Sequence, residues 1–219
     1  MIERPSPNHN ARPANTPIDI LLLHYTGMET AEAALDQLCN PEAQVSAHYT
    51  VDEDGTIYRH VDEERRAWHA GKSYWAGDTD VNGRSIGIEI VNPGHEFGYR
   101  PFPEAQMAAL IPLAKEIVAR HAIPAHRVLA HSDVAPNRKQ DPGELFDWPR
   151  LAEAGIGLWP ERPAPAEGDA AAMLTRFGYD PGSSGVIAAF QRHFRPANVD
   201  GVVDAETLAR LNALMKALP

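Results

Sequence analysis

An α/β domain with a mixed central sheet flanked by helices, followed by a small all-α unit of three helices, is the fold class this sequence predicts. Three observations predict it. Apolar, β-branched runs at Ile18–Leu23 and Ile86–Val91 read as buried strands. Met107, Leu110, Ile111, Ala114, Ile117 and Val118 recur at helical spacing. A proline-bearing stretch, Trp159–Gly168, then sets apart a final segment with three short helical patterns. The implied organisation is a polar N-terminal arm over 1–16, a main domain over 17–159, a linker over 160–168 and a helical unit over 169–219.

Each element has its own local reason. Ile18–Leu23 stops at His24-Tyr25-Thr26-Gly27, so a strand ends in a loop that presents His24. Glu29–Cys39 places Ala33, Ala34 and Leu38 together and ends before Asn40-Pro41, as a helix should. Val45–Val51 and Thr56–His60 flank Asp52-Glu53-Asp54-Gly55, the signature of a hairpin with an acidic turn. Ala67–Arg84 shows no sustained period and reads as a long surface loop, a kind that is usually functional. Pro112 falls inside the helical pattern of 103–121 and predicts a kink or break there. Val128-Leu129-Ala130 is a short strand delivering His131, and Ser132–Phe146 reads as a turn-rich loop. In the tail, Ala171–Phe177, the stripe Val186, Ile187, Phe190, Phe194, and the Asp204-capped repeat Leu208, Leu211, Leu214 give three helices able to share one core.

Composition narrows the chemistry. The 219 residues carry 20 basic and 30 acidic side chains, a net charge of −10, which disfavours nucleic acid as a partner. The strongest apolar stretch, Ile18–Leu23, is interrupted by Asp19 and is far short of the roughly 20 residues a membrane span needs. One cysteine, Cys39, excludes an intramolecular disulfide framework and a multi-cysteine metal cluster; a helix-end thiol with no base beside it reads as packed. Met1–Thr16 lacks the run of about 7–15 apolar residues of a secretory signal, so the expected location is cytoplasmic, or periplasmic if the chain is a processed form. No obligate protein partner is implied.

The histidines are the informative residues. His24 and His131 each follow a buried strand and can project at adjacent strand ends, and Asp141, in the same loop as His131, can fold back toward them. Three N/O protein donors with a fourth position open to water is the pattern of a catalytic zinc site, whereas each histidine alone reads as structural or surface. Glu89 is an oddity inside Ile86–Val91. Either that strand is half exposed and Glu89 faces water, or Glu89 points away from Ile88 and Ile90 toward a metal-bearing face, where it would serve as general base. Lys139 is either a solvated lysine or a cation placed to stabilise a developing oxyanion. Trp68, Tyr74 and Trp75 would line a sugar-binding wall or simply pin a long loop, and His48 reads as packing.

Six short motifs occur in order: His24-Tyr25-Thr26, Ser46-Ala47-His48-Tyr49, Trp68-His69-Ala70-Gly71, Ser85-Ile86-Gly87-Ile88-Glu89, Ala130-His131-Ser132-Asp133 and Arg138-Lys139-Gln140-Asp141-Pro142-Gly143. Together, over roughly residues 16–160, they resemble the zinc N-acetylmuramoyl-L-alanine amidases that share a fold with peptidoglycan recognition proteins. The tail, through Ala189-Phe190-Gln191-Arg192-His193-Phe194 and Val199-Asp200-Gly201-Val202-Val203-Asp204, resembles the three-helix peptidoglycan-binding module. The resemblance implies His24, His131 and Asp141 as zinc ligands, Glu89 as catalytic carboxylate and Lys139 as the intermediate-stabilising cation. It also implies His69 in the substrate groove, where otherwise it is an ordinary loop histidine, and a peptide contact from Asn92, though a strand-ending Asn before Pro93 needs no such role; Arg138, by its charge, and Trp68, by its ring, are the other candidate substrate contacts. Arg65, Arg66, Lys72, Arg138 and Lys139 would make the groove locally positive against the chain's overall charge.

The function so implied is hydrolysis of the amide between N-acetylmuramic acid, or its 1,6-anhydro form, and L-alanine of the stem peptide. Its partners would be muropeptides or peptidoglycan. Two other readings compete: a non-catalytic recognition protein on the same fold, and a zinc carboxypeptidase cutting within the stem peptide.

Overall fold

The computed structural model describes residues 1–160 and 165–218. Positions 161–164 of the expected linker lie outside the described residues. Strands β1 (Ile2–Glu3), β3 (Ile20–Tyr25), β4 (Tyr49–Val51), β5 (Ile57–Arg59), β7 (Ser85–Ile90) and β8 (Val128–Ala130) form one six-stranded sheet. Its order is β1-β5-β4-β7-β3-β8. Every pairing is parallel except β4 with β5, the hairpin around the acidic turn, so the sheet is mixed. Strands β2 (His9–Ala11) and β6 (Arg65–Ala67) pair antiparallel beside it.

The N-terminal arm is built into this frame. Beyond β1 and β2, the Arg12 guanidinium donates to the carbonyls of Glu63, Asn82, Gly83 and Ser85, tying the arm to the start of β7. Helices α1 (Ala31–Cys39), α2 (Val81–Arg84), α3 (Gly94–Phe97), α4 (Glu104–His121), α5 (His131–Val134) and α6 (Trp148–Glu153) fill out the main domain. Helix α4 passes Pro112 without ending. The amide that Pro112 lacks would have bonded the carbonyl of Ala108, and both residues are exposed, so water can satisfy that oxygen.

Alternation along the strands assigns two faces. Leu21, Leu23, Ile86, Ile88, Ile90, Val128 and Ala130 pack with α4 and α6 through Met107, Leu110, Ile117 and Leu151. Ile20, Leu22 and Leu129 point the other way and pack with the C-terminal helices α7 (Ala170–Phe177), α8 (Val186–Phe194) and α9 (Ala205–Ala217) through Leu174, Phe190, Phe194, Leu211 and Leu214. The three-helix unit is therefore the second covering layer of the sheet.

This docking explains two departures from expectation. Ala67–Arg84 is no surface loop: Ala70, Trp75 and Val81 are buried beneath the helical unit, and Trp75 packs edge-on against Phe177 and Tyr179. The backbone of Gly178 approaches so closely that a Cβ there would meet the Trp75 ring at 2.6 Å, so the contact requires glycine. Ser132–Phe146 is not all turn either, since its start is helix α5, which reverses the chain directly after β8.

Candidate active site

Residues 24, 89 and 131 come together because of strand register. In β3 and β7, which run parallel, His24 sits opposite Glu89, so both side chains leave the same face near the C-terminal ends of their strands. Strand β8 flanks β3 on its other side and ends at Ala130, delivering His131 at the same height. The loop after α5 is closed by the Ser132 amide donating to the Asp141 carbonyl at 3.0 Å, and this brings the Asp141 carboxylate back over the two rings. Such a location, beyond the C-terminal ends of parallel strands, is where open α/β sheets collect their ligands.

The donors converge. His24 Nδ1 and His131 Nδ1 are 2.9 Å apart, and Asp141 Oδ2 lies 2.9 Å from the second and 3.2 Å from the first. All three residues are buried, and their donor atoms lie within 4.8 Å of one another. Two donors on a tetrahedral zinc-sized ion stand about 3.3 Å apart, close to these separations. The far side of each ring fixes which nitrogen is free. His131 Nε2 donates to the Ala70 carbonyl at 3.1 Å, leaving the Nδ1 lone pair for a metal. His24 Nε2 donates to His69 Nδ1 at 3.0 Å, His69 Nε2 to Ser85 Oγ at 3.3 Å, and Ser85 Oγ to the Val81 carbonyl at 2.6 Å. This chain of donors presents the Nδ1 lone pair of His24 as well. The residues fit a single metal ion.

Electrostatics agree with that assignment. Burial and the neighbouring His131 push His24 down to about 4, so its ring is neutral and a competent ligand near neutral pH. Burial acts to raise Asp141, but His131 and His24 outweigh it and hold the carboxyl well below the usual range. Glu89 goes the opposite way: burial first, then the Asp141 charge, raise it well above the usual carboxylate value, while Lys139 draws it down. Only 9% exposed, Glu89 leaves Oε2 with no hydrogen-bond partner among the described residues. It lines a cavity of about 150 Å³ with His69, His131, Lys139 and Asp141, beside a wider cleft of about 490 Å³ bounded by Tyr25, His95, Arg138 and Lys139. Of the two readings of its strand, the buried one is observed.

Of the residues expected to contact substrate, His69 and Arg138 line the two cavities, whereas Asn92 and Trp68 are not among the lining residues. Asn92 is buried, donates from Nδ2 to the Arg100 carbonyl and accepts the Gly94 amide, so it braces a loop. Trp68 donates from Nε1 to Asn10 and pins the N-terminal arm. His69 is buried beneath His24, where it also lines the smaller cavity, and a Cβ at Gly87 would meet its ring at 2.5 Å. Arg138 borders the cleft, yet its guanidinium donates to the carbonyls of Ala70 and Lys72, and Ala70 is the group that orients His131. Arg65 and Arg66 lie on β6, where Arg65 meets His9 and Arg66 pairs with Asp80, so they do not charge the cleft.

Sequence reading missed the cleft's far wall. There Tyr25 meets His95 at 3.0 Å, His95 stacks on Tyr99 with ring centroids 4.3 Å apart, and His95 Nε2 lies 3.1 Å from Glu144. Tyr25 follows His24 directly, and that adjacency was the available signal.

Comparison with known proteins gives this geometry a context. A family profile described as N-acetylmuramoyl-L-alanine amidase matches residues 14–144, and one for a peptidoglycan binding domain matches 169–211. The amidase AmiD of Escherichia coli K12 is 41% identical over 238 residues, covering 94% of this chain and 85% of AmiD. The 1,6-anhydro-N-acetylmuramyl-L-alanine amidase AmpD of Enterobacter cloacae is 31% identical, covering 67% of this chain and 86% of AmpD. Among solved structures, E. coli AmiD in complex with the substrate anhydro-N-acetylmuramic acid-L-Ala-D-γ-Glu-L-Lys superposes with a TM-score of 0.81 at 40% identity, covering 93% of this chain and 91% of that one. AmpDH3 of Pseudomonas aeruginosa, in complex with an anhydromuramic pentapeptide, gives 0.83 at 34%, covering 94% of each chain. With its buried donor triad at the strand ends and a peptidoglycan-binding unit closing the sheet behind it, this chain belongs to the N-acetylmuramoyl-L-alanine amidase family and is an amidase.

Proposed function

We propose that the chain is a zinc enzyme that cleaves the amide between the lactyl group of N-acetylmuramic acid and L-alanine, with soluble 1,6-anhydro-muropeptides as its substrate. One observation carries the reading: two imidazole lone pairs, each fixed by a hydrogen bond on the far side of its ring, and a carboxylate converge beside a buried carboxylate oxygen that has no partner among the described residues. His24, His131 and Asp141 would hold the zinc. When bound, that ion would supply a Lewis acid that polarises the scissile carbonyl and brings the pKa of a water molecule toward neutrality.

The chain's own groups do the rest. Glu89, with its raised proton affinity and free Oε2, takes the proton of the attacking water as the new C–O bond forms. Lys139, at the junction of the two cavities, offers its ammonium to the negative charge that develops on the carbonyl oxygen. Glu89 then gives its proton to the departing nitrogen, the C–N bond breaks, and the products are a muramic carboxylate and a peptide with a free L-alanine amine. Enclosure strengthens both electrostatic steps, because water competes less inside the cavity.

The anhydro form is favoured because the AmiD and AmpDH3 structures are complexes with anhydro-muropeptides. A cytoplasmic place of action is proposed with it, since soluble fragments rather than polymer are what that compartment offers. Among the described residues no helix is long and apolar enough to cross a membrane. Mass spectrometry of products from anhydro-muropeptide and from purified sacculi, with zinc removed and restored, tests the reading. Intact stem peptide released only with zinc, and faster from the fragment, is expected. Cleavage inside the stem peptide, or zinc-independent cleavage, would overturn it. Cell fractionation checks the compartment, where recovery with the wall would count against the cytoplasm.

A further inference from the structure

The face between the sheet and the C-terminal helices is mostly apolar, but a polar cluster interrupts it beside a metal-ligand candidate. Asp133 lies two residues beyond His131 on the four-residue helix α5 and is 0% exposed. Its carboxylate accepts three hydrogen bonds. Oδ2 takes the Ala130 amide at 2.8 Å and His193 Nδ1 at 2.7 Å, and Oδ1 takes the Tyr179 hydroxyl at 2.5 Å. The first bond closes the corner where β8 turns into α5, the corner from which His131 projects. The other two come from the C-terminal unit, from the residue after Gly178 and from helix α8.

Both outer donors are locked in turn. His193 stacks on Trp148 with ring centroids 3.7 Å apart, and its Nε2 is buried without a partner among the described residues, so the proton resides on Nδ1, facing Asp133. Tyr179 stands edge-on to Trp75 at 5.0 Å. The unit is also seated tightly along the same stretch of chain. Gly185, at the start of α8, has φ +79°, and a Cβ there would meet the Pro136 carbonyl at 2.6 Å.

We propose that Tyr179 and His193 are positioning residues for the metal centre: through Asp133 the C-terminal unit holds the β8–α5 corner and so aims His131 Nδ1 at the metal. The inference rests on the zinc reading given above. Its physical basis is that a buried carboxylate deprived of a donor must relax or admit water. Here the group that would move is covalently two residues from a ligand whose placement needs sub-ångström precision.

The test uses the full-length zinc-loaded protein with Tyr179→Phe, His193→Leu and His193→Asn. Zinc affinity is read by chelator competition, alongside kcat, KM and Tm. Tyr179→Phe and His193→Leu are expected to weaken zinc binding and lower kcat, each by roughly 10-fold, the lower end for groups that orient metal ligands, with KM within about twofold. His193→Asn, whose amide N–H can reach the place of Nδ1, is expected to restore most of both. Folded variants that keep wild-type zinc affinity and kcat while losing only Tm would show mere packing and overturn the inference. Should His193→Leu fail to fold, Tyr179→Phe decides, because its ring still packs on Trp75. A wild-type protein that binds no zinc would instead overturn the zinc reading itself, an outcome visible before any variant is compared.

Discussion

Replacing Glu89 by glutamine separates the chemistry from the architecture. The two side chains have nearly the same volume, so the cavity keeps its shape, and the donor set of His24, His131 and Asp141 is untouched. The amide cannot take a proton from water. Losing a positioned general base costs about 10²- to 10⁴-fold in kcat, or roughly 3–5 kcal/mol of barrier at 1.36 kcal/mol per decade. Stability should move the other way or not at all. Glu89 is buried beside Asp141 with Oε2 unpartnered, and its raised proton affinity shows that the anion is disfavoured there, so a neutral isostere removes a cost rather than a support.

Three measurements then have to agree: initial rates of muropeptide cleavage resolved by liquid chromatography and mass spectrometry, zinc content, and Tm. The expectation is kcat down by at least 100-fold, zinc retained at the wild-type level, and Tm unchanged or higher. The pH profile adds a sign. Activity requires the carboxylate form, so the wild-type rate should rise with pH through a limb that vanishes in Glu89→Gln. A zinc-loaded variant retaining kcat within about fivefold of wild type would refute the general-base assignment. Loss of the zinc would refute it differently, by making Glu89 a ligand.

Four further outcomes are expected. Lys139→Met, which keeps the aliphatic stem but removes the charge facing both cavities, should lower kcat by about 10²- to 10³-fold with little change in zinc content; steady-state kinetics with metal analysis reads this. Arg138→Met should leave KM nearly unchanged and instead weaken zinc binding, because its guanidinium holds the Ala70 carbonyl that orients His131; a KM rise alone would make substrate contact in the cleft its main role. Burial, then Arg12, holds His48 down to about 3 in the fold, whereas the unfolded chain protonates near 6.5. Stability should therefore fall as pH falls through and below 6.5, by roughly 2 kcal/mol over two units, and denaturant titrations of His48→Asn should show a smaller drop. Phe190→Ala should cost about 3–5 kcal/mol, and because Phe190 shares a core with Ile20 and Leu22 of the sheet, calorimetry should still show one transition rather than separate melting of the tail.

What could be read in advance divides along a physical line. His24, Glu89 and His131 were legible because each stands at or near the end of an apolar run, and neighbouring strands place such residues at one height. Asp141 was legible through its short separation from His131 in one loop. The partners of the four residues expected to contact substrate were not legible, because spacing along a chain does not say which partner a polar group finds. Asn92 found the Arg100 carbonyl and Trp68 found Asn10. His69 went under His24 because Gly87 leaves room for its ring, a three-dimensional fit that neither motif announces alone. The largest miss, the burial of Ala67–Arg84, has the same origin: polar and glycine-rich local sequence favours a loop, but nothing local reveals that Phe177 and Tyr179 will cover it.

The covering layer bears directly on the chemistry. Ile20, Leu22 and His24 alternate onto one face of β3, and the same face of β7 carries Ser85, Gly87 and Glu89. Apolar side chains from the C-terminal helices close the lower part of that face around Ile20 and Leu22, whereas its upper end carries the imidazoles and two carboxylates. Desolvation is what keeps His24 neutral and Glu89 avid for a proton. A solvated sheet face could hold the same residues in the same register, yet their proton affinities would return toward ordinary values and both roles would weaken together. The C-terminal helices packed against the sheet thus exclude water from the floor of the site, whether or not they also bind glycan.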